Sequence, residues 1–209
     1  MQPRNIYIVG AHCTGKTTLL QALKDHFSTD LVCEIYGQNV GRPVFIDEVA
    51  REVMGRDLFT ADDVESDEKG LELQKRILLA QYRHEKRLAG KWFISDRSGI
   101  DPIIYAQFFL GKHVAEHLAA RKAWRVLREQ MQKAVVIVCE PRNEAWLSSD
   151  DGVRVKTKDA TTWKMFGQRF LSGLREYGIE YTPIPEGVED LTERVHFVED
   201  ILRSYRKSA

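Results

Sequence analysis

The sequence predicts an α/β fold: a parallel sheet with helices on both faces. Two observations carry this. Short segments rich in β-branched and aromatic residues recur along the chain, at Asn5–Gly10, Pro43–Asp47, Lys91–Asp96, Ala134–Glu140 and Ile179–Pro183. Most are continuously apolar rather than alternating, as strands covered on both faces are. Longer stretches of helical periodicity lie between them, and that alternation implies parallel strands joined by helical crossovers.

The elements follow in order. NIYIVG opens the sheet, and Lys16–Phe27 reads as a helix with Leu19, Leu20, Ala22 and Leu23 on its apolar face. Val32–Arg42 holds two glycines and no clear period, which predicts a loop or an irregular strand. After PVFID, the acidic run Asp62–Glu68 suits the positive end of a helix dipole. It leads into a helix over Asp67–Leu88 carrying Leu71, Leu73, Ile77, Leu78 and Tyr82. Further helices are expected at Pro102–Leu110, Ala115–Met131, Ala160–Tyr177 and Val188–Tyr205. The polar segment Ser148–Asp159 reads as an exposed loop.

Composition narrows the class. With 209 residues, 43% hydrophobic and 30% charged, the chain has the balance of one soluble domain with a real core. Its 31 Lys and Arg offset 31 Asp and Glu, which argues against a strongly basic nucleic-acid binder. Cys13, Cys33 and Cys139 have no CxxC spacing, so neither a disulfide framework nor a cysteine zinc site is expected. No apolar run reaches the ~18 residues of a membrane span, and the first residues lack a signal-peptide core. A cytoplasmic protein, monomeric or homodimeric, is the expectation.

The strongest motif is Gly10-Ala11-His12-Cys13-Thr14-Gly15-Lys16-Thr17, which fits GxxxxGK[ST] between a strand and a helix. Its glycines let successive backbone N–H groups face one anion, and the helix adds its positive end. Lys16 suits β- and γ-phosphates and Thr17 suits Mg²⁺. The nucleotide-binding set is Gly10, His12, Cys13, Thr14, Gly15, Lys16, Thr17 and Thr18. In an empty site the charge of Lys16 is expected to be exposed.

Three further segments bear on chemistry. Asp96 ends an apolar strand, the place of a Walker B acid holding Mg²⁺, and is followed by Arg97, a cation suited to a phosphate clamp. The two residues also suit a mutual ion pair or a helix cap. Asp47 and Glu48 end the second strand, where a carboxylate can accept the proton of a substrate hydroxyl, or where acids can simply start a helix. Which of the two is the base stays open. Arg154, Lys156 and Lys158 crowd the loop after the fourth strand, suiting a lid over a transferring phosphate or a solvated loop. Asp96–Gly99 has the D-x-x-G form of GTP switches, but no N/T-K-x-D follows the next strand, which weakens that reading.

The ordered set GAHCTGKTTL, DEVAREV, SDRSGID with Tyr105, EPRNEAW and DDGVR resembles the NadR-type P-loop AAA domain family, which includes nicotinamide riboside kinase-like domains. The resemblance spans about residues 5 to 200, including a late arginine segment at Glu193-Arg194. It is similar more distantly to deoxynucleoside and thymidylate kinases. It implies a three-layer P-loop fold with strand order 2-3-1-4-5 and a lid over about 148–159. It further implies ATP- and Mg²⁺-dependent phosphoryl transfer to a hydroxyl of a nucleoside-like metabolite, with nicotinamide riboside as the leading acceptor. Lys16, Glu48, Asp96, Arg97 and Arg154 would be catalytic, and Thr17 and Asp96 the metal residues. Asp47, Glu48, Arg51, Asp101 and Trp146 would line the acceptor, Trp146 by stacking on a ring. Trp146 follows Pro141 at a longer gap than the family pattern, and no adenylyltransferase-like or DNA-binding segment is read ahead of the kinase-like part. Two other classes stand beside this one: a non-catalytic ATP or GTP switch with a protein or lipid partner, and a remodelling ATPase. The latter's arginine finger and helical small domain have no visible counterpart here.

Overall fold

Strands that are apolar on both faces must be covered on both, and the computed structural model, which describes residues 3–148 and 159–207, does this with two helical layers. The strands are β1 (Ile6–Val9), β2 (Val44–Ile46), β3 (Phe93–Asp96), β4 (Val135–Val138) and β5 (Thr182–Pro183). All pair in parallel in the order β2-β3-β1-β4-β5, the order the resemblance implies. Ile8 is in register with Asp96, and Val9 with Val138. The end of β1 therefore opens beside the end of β3, and this brings two separate motifs to one place.

Three helices cover one face: α1 (Lys16–His26), α2 (Thr29–Tyr36) and, at the end of the chain, α9 (Leu191–Lys207). Leu19, Leu23, Val32, Ile35, Val198 and Leu202 pack there on Ile6, Ile8, Ile94 and Ile137. On the other face lie α3 (Val49–Asp57), α4 (Asp67–Arg87), α5 (Ile100–Phe109), α6 (Lys112–Ala119), α7 (Lys122–Met131) and α8 (Ala160–Glu176). They cover Tyr7, Val9, Phe93, Val136 and Val138. Burying side chains of this size contributes roughly 1.5–3 kcal/mol each, so the two faces of the sheet supply the main driving force.

Three expectations are corrected. Val32–Arg42 is not a loop throughout, because its first part belongs to α2. Ser28 caps that helix by accepting the Leu31 N–H at 3.2 Å, Val32 and Ile35 form its buried stripe, and Gly37 at φ 92° ends it. Ala115–Met131 is two helices rather than one. Continued helical phase from Leu118 would turn Arg121, Lys122 and Arg125 inward, whereas a break at Arg121 resets the phase and buries Ala123, Trp124 and Leu127. The acidic run forms a 3-10 turn over Asp62–Glu65, and α4 begins only at Asp67.

A buried polar group sits between α4 and the sheet. Tyr7 donates its hydroxyl to Glu85 Oε2 at 2.6 Å, and Gln81 Nε2 donates to Glu85 Oε1 at 2.8 Å and to Ser95 Oγ at 3.2 Å. Burial pushes the Glu85 carboxyl up to about 7, against the opposing pull of the Tyr7 and Gln81 hydrogen bonds.

Candidate active site

The loop after β1 is shaped by backbone sterics. Gly10 adopts φ 134°, and a Cβ there would collide with the Cys139 carbonyl oxygen at the end of β4. Gly15 adopts φ 78° as the N-cap of α1, and a Cβ would stand 2.5 Å from Arg194 Nη1. Thr14 Oγ1 donates to the Ala11 carbonyl at 2.9 Å, and the Trp163 indole of α8 donates to the His12 carbonyl at 2.7 Å. The cradle is thus fixed from inside and from α8.

Lys16 is buried, not exposed as the sequence suggested. Its ammonium group folds back to donate to the Ala11 carbonyl, with Thr14 Oγ1 at 3.3 Å. Burial and then the nearby Arg97 lower it to about 8, while Asp96 and Asp101 resist that fall. A bound polyphosphate would replace the carbonyl as its partner.

Across the strand ends, Thr17 Oγ1 donates to Asp96 Oδ2 at 2.6 Å. The other oxygen, Oδ1, is buried and has no hydrogen-bond partner among the described residues. A buried carboxylate oxygen without a donor is an anomaly that a cation resolves. Hydroxyl and carboxylate oxygens suit a hard ion such as Mg²⁺. Among the described residues no group of three His, Cys, Asp or Glu could hold a metal. A Mg²⁺ on Thr17 and Asp96 would therefore take its other ligands from phosphate and water, the usual habit of this ion.

The third cluster centres on Arg97, held at φ 73° with its N–H donating to the Ile8 carbonyl at 2.9 Å. A non-glycine residue in this region is uncommon and costs backbone energy. That backbone aims the guanidinium at Glu48: Nε donates to Oε1 at 2.5 Å. Nη1 donates to Tyr105 Oη at 3.2 Å and to Asp101 Oδ1 at 3.3 Å. Asp101 Oδ2 accepts from Ser98 N at 2.8 Å and Ser98 Oγ at 2.9 Å, fixing the turn into α5. Arg51 Nε donates to Glu48 Oε2 at 2.8 Å. Burial would raise the Glu48 carboxyl, but Arg97, Arg51 and Lys16 together bring it down to about 2. Glu48 is thus an anion at any physiological pH, and a weak base.

These groups line one cleft of about 810 Å³ that includes the loop from His12 to Thr18, Glu48, Arg51, Arg97, Asp101 and Tyr105. Met54, Val64, Leu73, Gln74 and Ile77 line it as well. Of the sequence-predicted site residues that flank the loop, the cleft is lined by Glu48, Arg51, Arg97 and Asp101, while Asp96 lies buried behind Thr17 and reaches it only through that hydroxyl. Asp47 does not join them: its side chain is 69% exposed and pairs with Lys24 at 2.5 Å, because the strand end turns the next residue, Glu48, inward instead. Trp146 does not line this cleft either. It lies by Gly15, with the Arg194 guanidinium 5.7 Å from its ring centre, in a second cleft of about 300 Å³ with Cys139, Asn143 and Ile184. Arg154 and the centre of the expected lid lie outside the described residues.

Arg194 has a larger part than a motif reading gave it. From α9 it donates to the Thr14 carbonyl at 3.0 Å and to Cys139 Sγ at 3.1 Å, so the last helix braces the loop. The late Glu193-Arg194 segment was its only trace in the sequence. Gln74 and Trp163 left no trace, because each occupies a position that helical periodicity assigns to plain core packing.

A family model described as an AAA domain (AAA_28) matches residues 5–194. Among solved structures, the chain is similar to a NadR protein in complex with NR, with TM-score 0.68 and 21% identity, covering 98% of this chain and 52% of that one. The chain thus spans about half the length of that NadR protein. It is also similar to shikimate kinase from Acinetobacter baumannii in complex with shikimate, with TM-score 0.55, 16% identity and 100% and 95% of the two chains covered. Thymidylate kinase from Ehrlichia chaffeensis gives TM-score 0.56 and 14% identity, over 97% and 100%. No curated protein matches. At these identities the likeness establishes the P-loop kinase fold, and no helix among the described residues is long and apolar enough to cross a membrane. By the match over nearly its whole length, the chain belongs to the AAA domain family of the AAA_28 type.

Proposed function

We propose that the protein transfers the γ-phosphoryl group of ATP, with Mg²⁺, to a hydroxyl of a nucleoside-like small molecule, with nicotinamide riboside as the first acceptor to try. The observation that carries this reading is one cleft lined by a phosphate loop, by Thr17 with Asp96 hydrogen-bonded behind it, and by the Glu48–Arg97 pair. Similarity to kinases, including a NadR protein bound to NR, agrees with it.

The loop N–H groups and Lys16 hold the β- and γ-phosphates. When bound at Thr17 and Asp96, Mg²⁺ supplies charge neutralisation at the phosphate oxygens. The acceptor oxygen forms a bond to the γ-phosphorus as the bond to the bridging oxygen of ADP breaks. Its proton passes towards Glu48, whose two oxygens keep lone pairs beyond those used by Arg97 and Arg51. A base as weak as Glu48 suffices, because a loose transition state needs alignment more than deprotonation. Arg97 orients Glu48 and lies where charge spreads from the transferring group. Arg154 of the lid region adds a further cation in this reading.

The second cleft, with Trp146 and Arg194, takes the base of the donor nucleotide, an apolar and cationic surface suited to a flat ring. The protein acts in the cytoplasm as a monomer or homodimer. The test is incubation with ATP·Mg²⁺ and a panel of nucleosides, nicotinamide riboside, sugars and amino alcohols, following phosphorylated product by mass spectrometry. Transfer to at least one nucleoside-like acceptor well above background ATP hydrolysis is expected. Tight nucleotide binding with no transfer, and nucleotide-dependent binding of a protein or lipid, would replace the kinase by a switch.

A further inference from the structure

One buried ionisable group plays no part in the proposed chemistry. Glu85, in the last turn of α4, is 2% exposed, and the hydrogen bonds to its carboxyl come from neutral donors, Tyr7 on one oxygen and Gln81 on the other. No cation pairs with it among the described residues. A carboxylate buried without a cation is costly, and the negative end of the α4 dipole adds to that cost. Burial therefore holds the carboxyl neutral up to about pH 7.

The charged groups of the neighbouring elements are engaged elsewhere. On α5, Asp101 accepts from Ser98, and both Asp101 and Tyr105 accept from Arg97. On α3, Glu52 pairs with the partly exposed His84 of α4. In the 3-10 turn, Asp63 pairs with Lys69. From α7 the buried residues are Ala123, Trp124, Leu127 and Met131, all apolar.

The two ends of α4 are held in different ways. At the first turn, Gly70 lets the helix lie directly on the 3-10 turn, where a Cβ would stand 2.7 Å from the Val64 carbonyl oxygen. At the last turns, Glu85 ties the helix to Tyr7 on β1, and Gln81 ties it to Ser95 on β3. Leu73, Gln74 and Ile77, which line the main cleft, lie between these two attachments on the same buried face of the helix. Tyr7 and Ser95 are in register with each other, on the strands that lead into the phosphate loop and Asp96.

We propose that Glu85 is a positioning residue that works as a proton-operated latch: protonated, it seats the last turns of α4 on β1 and β3 and so steadies the α4 side of the main cleft, and ionised, it releases them. Loss of the proton leaves a buried anion, which is relieved when the end of the helix lifts and admits water. The inference rests on the kinase reading for its effect on turnover, but the latch itself is measurable without any ligand.

The experiment is amide hydrogen exchange of the ligand-free protein from pH 6 to 8.5, corrected for intrinsic exchange rates. Protection of the α4 amides should fall by up to about tenfold per pH unit above about pH 7, while α1 and α9, on the opposite face of the sheet, keep theirs. Glu85→Gln, which mimics the protonated carboxyl, should keep α4 protection flat. Tyr7→Phe removes a hydrogen bond that favours the ionised carboxyl, so the fall should begin at higher pH. A fall shared by every helix, a fall that persists in Glu85→Gln and so belongs to the His84–Glu52 pair, or no fall at all would overturn the inference. With ATP·Mg²⁺ and nicotinamide riboside, the acceptor KM should rise with pH in the wild type and stay level in Glu85→Gln. Loosening of α4 governed by Glu85, without transfer to any acceptor, refutes the kinase alone. Transfer with an acceptor KM indifferent to both pH and Glu85→Gln refutes this inference alone.

Discussion

Arg97 donates its Nε–H to Glu48 Oε1 over 2.5 Å, and so joins the end of β3 to the start of α3 across the mouth of the main cleft. Both side chains are close to 90% buried, so the pair is desolvated and each partner needs the other. Glu48→Gln keeps the shape but removes the proton acceptor. It is expected to lower phosphoryl transfer at least about a hundredfold while changing nucleotide affinity by less than about threefold. Initial rates and calorimetry check this. A loss confined to nucleotide affinity would take Glu48 out of the acceptor side.

Lys16 gives a pH dependence. Without a bound phosphate beside it, its ammonium is lowered to about 8, by burial first and by Arg97 second. A bound polyphosphate favours the charged form, so above pH 8 binding must recruit a proton. Affinity for ATP·Mg²⁺ should fall by up to about tenfold per pH unit there. Titrations from pH 7 to 9.5 read the slope, and Lys16→Met should bind weakly with a flatter profile. An equally steep profile in the variant would assign the titration to another group.

Trp146 and Arg194 give a test of which cleft takes which partner. Trp146→Ala should raise KM for ATP several-fold and leave KM for the acceptor nearly unchanged, since the ring stands by Gly15 and Arg194 and outside the cleft of Glu48. A rise in acceptor KM alone would restore the stacking role that the sequence suggested for Trp146.

Glu85 couples stability to pH. Its carboxyl rises from an ordinary 4.5 to about 7 in the folded protein because of burial. Between those values the folded chain holds a proton that the unfolded chain has released. Stability contributed by this group is therefore complete below pH 4.5 and declines as pH rises to 7, by about 3 kcal/mol. Urea unfolding at pH 5 and pH 8 should show a larger fall in the wild type than in Glu85→Gln. Parallel falls would assign the proton elsewhere.

The sequence by itself determined the layout. Runs such as VVIV and IYIV, apolar on both faces, admit little except strands inside an α/β sandwich, and GAHCTGKT needs its glycines where β1 turns into α1. Asp96 at the end of KWFISD was legible because an acid closing an apolar strand sits at the strand's carboxyl end, where the loop after β1 also lies. Tertiary structure decided everything that depends on direction. Asp47 and Glu48 are adjacent and chemically alike, yet β2 sends one to solvent and the other between Arg97 and Arg51. Trp146 and Gln74 were exchanged in a sense: the conspicuous aromatic went to the second cleft, and an inconspicuous amide on α4 faces the first. The physical reason is that periodicity reports whether a side chain is buried, while only the packing of α4, α9 and the strand ends reports what it is buried against.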